Sequence, residues 1–281
     1  MKFQVSCTLD YEVTSPATLI LNVHAFKTPG QKVLEETFTV DPSIQVDEMM
    51  TTDGQHHLIR LDVPFETVIH ISYSAVVENT YKITDHTDDK ELQVSQLPAD
   101  FLQYLYPSRY CQSDKLSRLA NNKFGKIENP YAQVIAITEW IYKHIGYLSG
   151  STNSQTSAFD TVTEQVGVCR DFAHLAITLC RAVNIPARYF SGYAFKLDPP
   201  DFHGCFEAYL GGAWVIFDAT RLAPLNGLVR IATGRDATDT AISTIFGDVT
   251  CNAISVSCKC LDDNFEPFFY TPDKMQGISY L

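Results

Sequence analysis

Three residues of this chain carry the side chains that covalent acyl chemistry requires: Cys169, His203 and Asp218. A thiol supplies a nucleophile, an imidazole moves a proton, and a carboxylate fixes the tautomer and direction of that imidazole. Taken singly, each has an ordinary structural explanation. Free cysteine is among the most buried residue types, a strand histidine is usually a partly buried polar residue, and an aspartate after a strand usually serves a turn. The local sequence around each one joins them.

Cys169 stands in Gly167-Val168-Cys169-Arg170-Asp171-Phe172-Ala173-His174. Apolar residues at Phe172, Leu175, Ala176, Leu179 and Val183 predict a helix that opens at the cysteine, with Arg170, Asp171, Thr178 and Arg181 on its opposite face. The first turn of a helix has unpaired N–H groups and the positive end of the dipole, so the setting favours a thiolate. Asn184-Ile185-Pro186 ends the helix, because proline restricts its predecessor. Upstream, Ser157-x-x-Asp160 reads as a capping box for a short helix that Gly167 closes. His203 and Asp218 flank two alternating runs joined by Gly211-Gly212, a two-residue hairpin signal. That turn sets the register: Leu210 opposite Ala213, Tyr209 opposite Trp214, Glu207 opposite Ile216 and Cys205 opposite Asp218. His203, Cys205 and Glu207 then share a face with Asp218, and His203 is the diagonal neighbour of Asp218, roughly 7–8 Å away between backbones.

The rest of the chain reads as the frame for these residues. Residues 1 to about 95 show strand alternation, as in Leu19, Leu21, Val23, Ala25 and again in Ile69, Ile71, Tyr73, Ala75, Val77, with turn signals at Thr28-Pro29-Gly30 and Asp53-Gly54. Several short strands without a helix between them predict a β-sandwich over 1–95. His56 and His57 read as solvated loop histidines, since paired ligands want one face. The polar run Asp85–Glu91 reads as a linker, and composition then turns helical, from Ser113 to about Gly125 and from Asn129-Pro130 through Ile145. The division is therefore a 1–95 sandwich followed by a 96–281 domain of α+β type. The final stretch, Leu261–Leu281, has the composition either to pack on the core or to cover the cleft.

The formal net charge of −12, with no cluster of Lys and Arg, argues against a nucleic-acid partner and against an anionic membrane surface. No apolar run approaches the roughly 18 residues of a membrane span, and acidic residues interrupt the first dozen positions, where a signal peptide needs an apolar stretch. The eight cysteines are scattered, so reduced thiols and a cytoplasmic location are expected. Cys258 and Cys260 share a strand face, but no second pair or nearby histidine completes four ligands, and neither a metal nor a cofactor is expected.

Several stretches match a known family: Gly-Val-Cys169-Arg-Asp-Phe-Ala-His, Asn-Ile-Pro-Ala-Arg-Tyr-Phe-Ser-Gly-Tyr, Asp-Phe-His203 and Trp-Val-Ile-Phe-Asp218-Ala-Thr. Together with Leu97-Pro98, Pro107-Ser108-Arg109-Tyr110 and Gly234-Arg235-Asp236-Ala237, they resemble the bacterial transglutaminase-like superfamily over Leu97 to Gly247. Residues 1 to about 95 resemble the β-structured region that precedes it. The resemblance implies a papain-like core of helices on an antiparallel sheet. It also implies Cys169 as nucleophile, His203 as general base and acid, and Asp218 as orienting carboxylate, acting through a thioester on a peptide or protein substrate. Hydrolysis (a cysteine peptidase or amidase) is the favoured outcome, protein-glutamine transamidation the alternative, and a non-catalytic peptide- or peptidoglycan-binding module the reading from another class. Tyr147 and Gln165 are candidates for the second oxyanion donor beside the Cys169 N–H. One departure stands out: the family commonly has Ala-Trp after the histidine, where this chain has Gly204-Cys205. That change could widen the cleft, and it puts a second thiol on the face of His203, able to oxidise against Cys169.

Overall fold

A computed structural model of the chain describes residues 1–51, 56–91 and 93–281. The Asp53-Gly54 turn signal therefore lies outside the described residues. The first third forms β1 (Lys2–Val13), β2 (Ala17–Leu21), β3 (Gln31–Asp41), β4 (Val46–Met50), β5 (His57–Val63), β6 (Thr67–Asn79) and β7 (Tyr81–Asp85). Then come α1 (Ala99–Leu102), α2 (Ser113–Phe124), α3 (Pro130–His144), β8 (Gly146–Tyr147), α4 (Ala158–Glu164), β9 (Val166–Gly167) and α5 (Cys169–Ala182). The chain ends with β10 (Ala187–Ala194), β11 (Phe202–Leu210), β12 (Ala213–Phe217), β13 (Leu228–Gly234), β14 (Ser243–Phe246), β15 (Val249–Cys260) and β16 (Gln276–Tyr280).

Period-two alternation places Phe3, Val5, Cys7, Leu9, Tyr11 and Val13 of β1 in a core with Leu19 and Leu21 of β2 and with Ile69, Ile71, Tyr73, Ala75 and Val77 of β6. Two antiparallel sheets enclose that core, in the orders β15-β1-β6-β3 and β14-β2-β5-β4. A third, six-stranded antiparallel sheet runs β13-β10-β11-β12-β16-β7, and α5 packs on its β10 and β11 strands. The fold is thus α+β, a sandwich joined to helices on an antiparallel sheet. In space, strands pair across the division after residue 95. β14 and β15 pair with β2 and β1, while β7 pairs with β16. Alternation identifies a strand but not its partner, so strands exchanged between distant parts of the chain leave no local signature. The two parts also share a core: Tyr193, Val229 and Ile231 of the third sheet pack among the sandwich residues, and the Tyr193 hydroxyl donates to the Val23 carbonyl at 2.6 Å.

Other sequence expectations meet specific physical exceptions. The Asp85–Glu91 run is held rather than loose. The Asn129 side chain caps α3 by accepting from the Ala132 N–H at 2.9 Å, and it also donates to the carbonyls of His86, Thr87 and Asp89. His56 is buried rather than solvated, and His57 is half-buried, its Nε2 3.3 Å from Glu48 Oε2 and its ring centroid 4.4 Å from that of His24. The short helix α4 does begin with Asp160 accepting from Ser157, but Gln165, with φ of 59°, turns it off, two residues before Gly167. Gly167 instead makes room: a Cβ there would lie 2.8 Å from Asp171 Cβ. The tail packs on the core, with β16 in the third sheet, Tyr270 buried, and the Phe268 N–H donating to Asn226.

Candidate active site

The nucleophile position is fixed by the start of α5. Asp171 accepts from the Val168 N–H at 2.9 Å, so the carboxylate of the first turn closes the cap and leaves Cys169 as the first helical residue, partly exposed. Burying Phe172, Leu175, Ala176 and Leu179 anchors this helix on the sheet, at about 1.5–3 kcal/mol for each of the larger side chains. Its polar face is not solvated as amphipathic spacing suggests. Asp171, His174, Thr178 and Arg181 are all buried, because α2, α3 and α4 pack against α5 from the other sides. Arg181 compensates its burial with hydrogen bonds to the carbonyls of Tyr106, Ala187 and Arg235 and to Ser108 Oγ. It thereby ties three separate segments of the chain to the nucleophile helix.

The β11–β12 hairpin has the register expected from Gly211-Gly212, whose φ values of 56° and 85° suit a two-residue turn of type I′. His203 Nε2 lies 2.9 Å from Asp218 Oδ2, both side chains being fully enclosed. The other Asp218 oxygen accepts from the Thr220 N–H at 2.9 Å and from its hydroxyl at 2.6 Å, so the carboxylate cannot rotate away. Burial opposes charge on Asp218, but the His203 ring and the Thr220 donors outweigh it and hold the carboxyl below its ordinary value. Burial likewise pulls His203 down. The surrounding Cys205, Asp218 and Cys169 groups reverse that and hold the imidazole well above its usual value. With Nε2 committed to Asp218, the buried Nδ1 has no hydrogen-bond partner among the described residues and is left for Cys169, which borders the same cleft. Glu207, two positions along the same face, does not join this group. It is committed to Arg188 at 2.5 Å and Arg230 at 2.9 Å.

Of the two oxyanion candidates, only Tyr147 reaches the site. The parallel β8–β9 bridge sets Tyr147 opposite Gly167, and the Cys169 N–H donates towards the Tyr147 hydroxyl. Burial pushes the pKa of that hydroxyl up from its ordinary value, so it keeps its proton and remains a donor at neutral pH. Gln165 contributes its carbonyl to the Gly146 N–H instead.

Cys169, Arg170, His203 and Gly204 border a cleft of about 420 Å³ whose far wall runs from Ala237 to Ser243. Two residues that shape it carried no clear signal in the sequence. Tyr189 projects to the cleft against Gly204, where a Cβ would meet its hydroxyl oxygen at 2.2 Å. His174 is pushed down to about 3 by burial and is therefore neutral; its Nε2 accepts from the Ala237 N–H at 3.1 Å, and its ring stacks on Tyr110 at 4.9 Å. The helix that carries the thiol thus also holds the opposite wall. Both residues lie in stretches that matched the family, and motif matching alone assigned them no role.

Comparison with known proteins agrees with this architecture. Residues 1–100 match the bacterial transglutaminase N-terminal domain, and residues 117–219 match the transglutaminase-like superfamily. A crystal structure of a candidate cysteine protease from Cytophaga hutchinsonii is 54% identical, covers 100% of this chain and 98% of that one, and superposes with a TM-score of 0.99. An uncharacterized protein of Mycobacterium leprae is 28% identical over 159 residues, 54% of this chain and 57% of its own length. An uncharacterized protein of Mycobacterium tuberculosis is 39% identical over 74 residues, 26% of this chain and 23% of its own. The chain thus spans little more than half of the first of these curated relatives and under a quarter of the second. With a matching N-terminal region, a matching core and a full-length relative, the chain belongs to the transglutaminase-like superfamily.

Proposed function

We propose that this protein is a thiol hydrolase of peptide or amide bonds, acting through Cys169, His203 and Asp218 by way of a thioester. The observation that carries the reading is the buried His203–Asp218 pair at 2.9 Å, set beside a partly exposed Cys169 at the head of a helix and on the edge of an open cleft. In this reading the Cys169 thiolate, paired with imidazolium His203, attacks the substrate carbonyl. The oxygen that becomes negative is met by the Cys169 N–H, which turns to it from the Tyr147 hydroxyl oxygen that it faces in the free protein, and by the Tyr147 hydroxyl itself. His203 Nδ1–H passes its proton to the departing amine, then takes a proton from the water that opens the thioester. Asp218 keeps the ring oriented and its positive form stable throughout. Eight unpaired cysteines fit a reducing compartment such as the cytoplasm, which is part of the proposal.

The test is the pH dependence of Cys169 alkylation by iodoacetamide, followed by peptide mapping, in wild type and His203→Ala. Fast labelling at Cys169 well below pH 8, slowed in the variant, is expected. An ordinary thiol profile in both proteins sinks the catalytic reading. A peptide-substrate screen with and without added primary amine then separates water from amine as acceptor. Substrate binding that survives Cys169→Ala with no turnover in wild type would leave a binding module instead.

A further inference from the structure

The position after Gly204 places a second thiol in contact with the His203–Asp218 pair. Donor atoms of His203, Cys205 and Asp218 all lie within 4.8 Å of one another, and all three residues are buried. They form the one group of three or more His, Cys, Asp and Glu side chains in such proximity among the described residues. An imidazole nitrogen, a sulfur and one carboxylate oxygen form a donor set that zinc(II) takes. The fit is close. At metal–ligand bonds of about 2.0–2.3 Å, tetrahedral donors stand roughly 3.3–3.6 Å apart. The His203–Asp218 pair, now 2.9 Å apart, would open by about half an ångström. Cys205 Sγ would close by at most about 1.2 Å, within reach of a side-chain rotation. Of the three, His203 lines the cleft, which is the side from which an ion arrives.

We infer that His203, Cys205 and Asp218 form a zinc(II) site that competes with the catalytic arrangement. The ion takes Nε2 of His203 in place of the proton shared with Asp218, and the sulfur of Cys205 in place of its thiol proton. Starting from the imidazolium form, two protons leave to solvent per ion bound, and the remaining ring proton stays on Nδ1. A metal-bound imidazole gives up that last proton reluctantly. His203 then cannot serve the leaving amine, and the enzyme is held off until the ion is withdrawn. No electron transfer is involved. The site depends on Cys205, where the family commonly has tryptophan, and not on which acyl acceptor the enzyme uses.

The experiment uses the full chain and cobalt(II) as a spectroscopic stand-in for zinc(II). Wild type and Cys169→Ser are expected to show one thiolate-to-cobalt charge-transfer band each, displaced by zinc(II), and to release two protons per ion near neutral pH. Cys205→Ser is expected to lose the band and to bind more than about 100-fold more weakly, the loss of a ligand exceeding that of an outer partner. A band that persists in Cys205→Ser, or one that vanishes in Cys169→Ser, overturns the site and moves the ion elsewhere. X-ray absorption at the zinc edge of wild type needs no substitution and gives an independent answer. One sulfur with nitrogen and oxygen neighbours is expected. No sulfur, or two sulfurs as the Cys258–Cys260 pair would supply, overturns it. Neither readout requires turnover, so a protein that is inactive also when metal-free, yet binds cobalt through Cys205, would refute the catalytic reading and keep the metal site.

Discussion

Replacing Gly204 by alanine tests how tightly the site is built. A methyl group at that position would lie 2.2 Å from Tyr189 Oη, 3.0 Å from its Cζ and 3.4 Å from Arg170 Cα. An ordinary contact is about 3.5 Å, so the first of these is more than an ångström too short. Tyr189 has little freedom to yield, being buried with its ring 5.1 Å from that of His174. On the other side the backbone of Arg170 is fixed by the start of α5. Overpacking of this kind costs about 1–3 kcal/mol. It must also overcome the gain of up to about 1 kcal/mol that Gly→Ala gives by restricting the unfolded chain. A net loss would therefore report the clash itself. Net of that gain the loss is at most about 2.6 kcal/mol, so at roughly 2–4 °C per kcal/mol for a protein of this size the melting temperature of Gly204→Ala should fall by up to about 10 °C.

The same geometry predicts a specific rescue. Tyr189→Phe removes the oxygen at 2.2 Å and leaves the ring carbon at 3.0 Å as the closest neighbour, a displacement of a few tenths of an ångström. The double variant should recover most of the loss, giving a coupling of about 1–2 kcal/mol in a double-mutant cycle. Thermal or denaturant unfolding of the four proteins measures it. Cys169 alkylation in the same four proteins shows whether the shift reaches the nucleophile. If the two changes add within about 0.5 kcal/mol, the Tyr189 hydroxyl does not occupy the space that Gly204 leaves, and this account of the cleft is wrong.

The remaining predictions concern charge and hydrogen bonding. Asp218 raises the imidazole of His203, so Asp218→Asn should move the alkaline limb of Cys169 alkylation to lower pH; an unmoved limb would take the carboxylate out of the mechanism. Glu207→Gln should cost about 3–5 kcal/mol in denaturant unfolding, since Arg188 and Arg230 would be left with an uncharged partner in a buried site. Arg188 and Arg230 hold the Glu207 carboxyl below its unfolded value. Its contribution is therefore present above the ordinary glutamate range and lost as pH falls through the folded value, and the stability gap between wild type and Glu207→Gln should narrow in acid. Tyr147→Phe should lower kcat by about 100-fold with little change in KM if its hydroxyl meets the oxyanion; an unchanged kcat would assign that second donor elsewhere.

What the sequence disclosed and what it hid divide along the distance over which each feature is encoded. The Cys169 helix start and the Gly211-Gly212 register are set by residues within one turn of a helix or one hairpin, and the structure has both where spacing puts them. The polar face of α5 misled because solvation is decided by what packs against a helix, and α2, α3 and α4 enclose residues such as Asp171 and Arg181. Tyr189 and Gly204 are 15 positions apart and meet through the β10–β11 pairing, in which Tyr189 lies opposite Phe206. Periodicity alone carries no trace of that meeting.

The most distant of these relations bears directly on the chemistry. The cleft wall from Ala237 to Ser243 runs straight into β14, which pairs with β2 of the sandwich. One end of that wall is therefore held by the nucleophile helix, through the Ala237 N–H on His174, and the other by a strand of the N-terminal region. The Asn22 N–H adds a bond to the Ile242 carbonyl at 2.9 Å. A sandwich that were only an appended binding module would leave the cleft whole on removal. Here its strands set the position of the surface against which a substrate would lie, so the width of the cleft is a property of both parts of the chain.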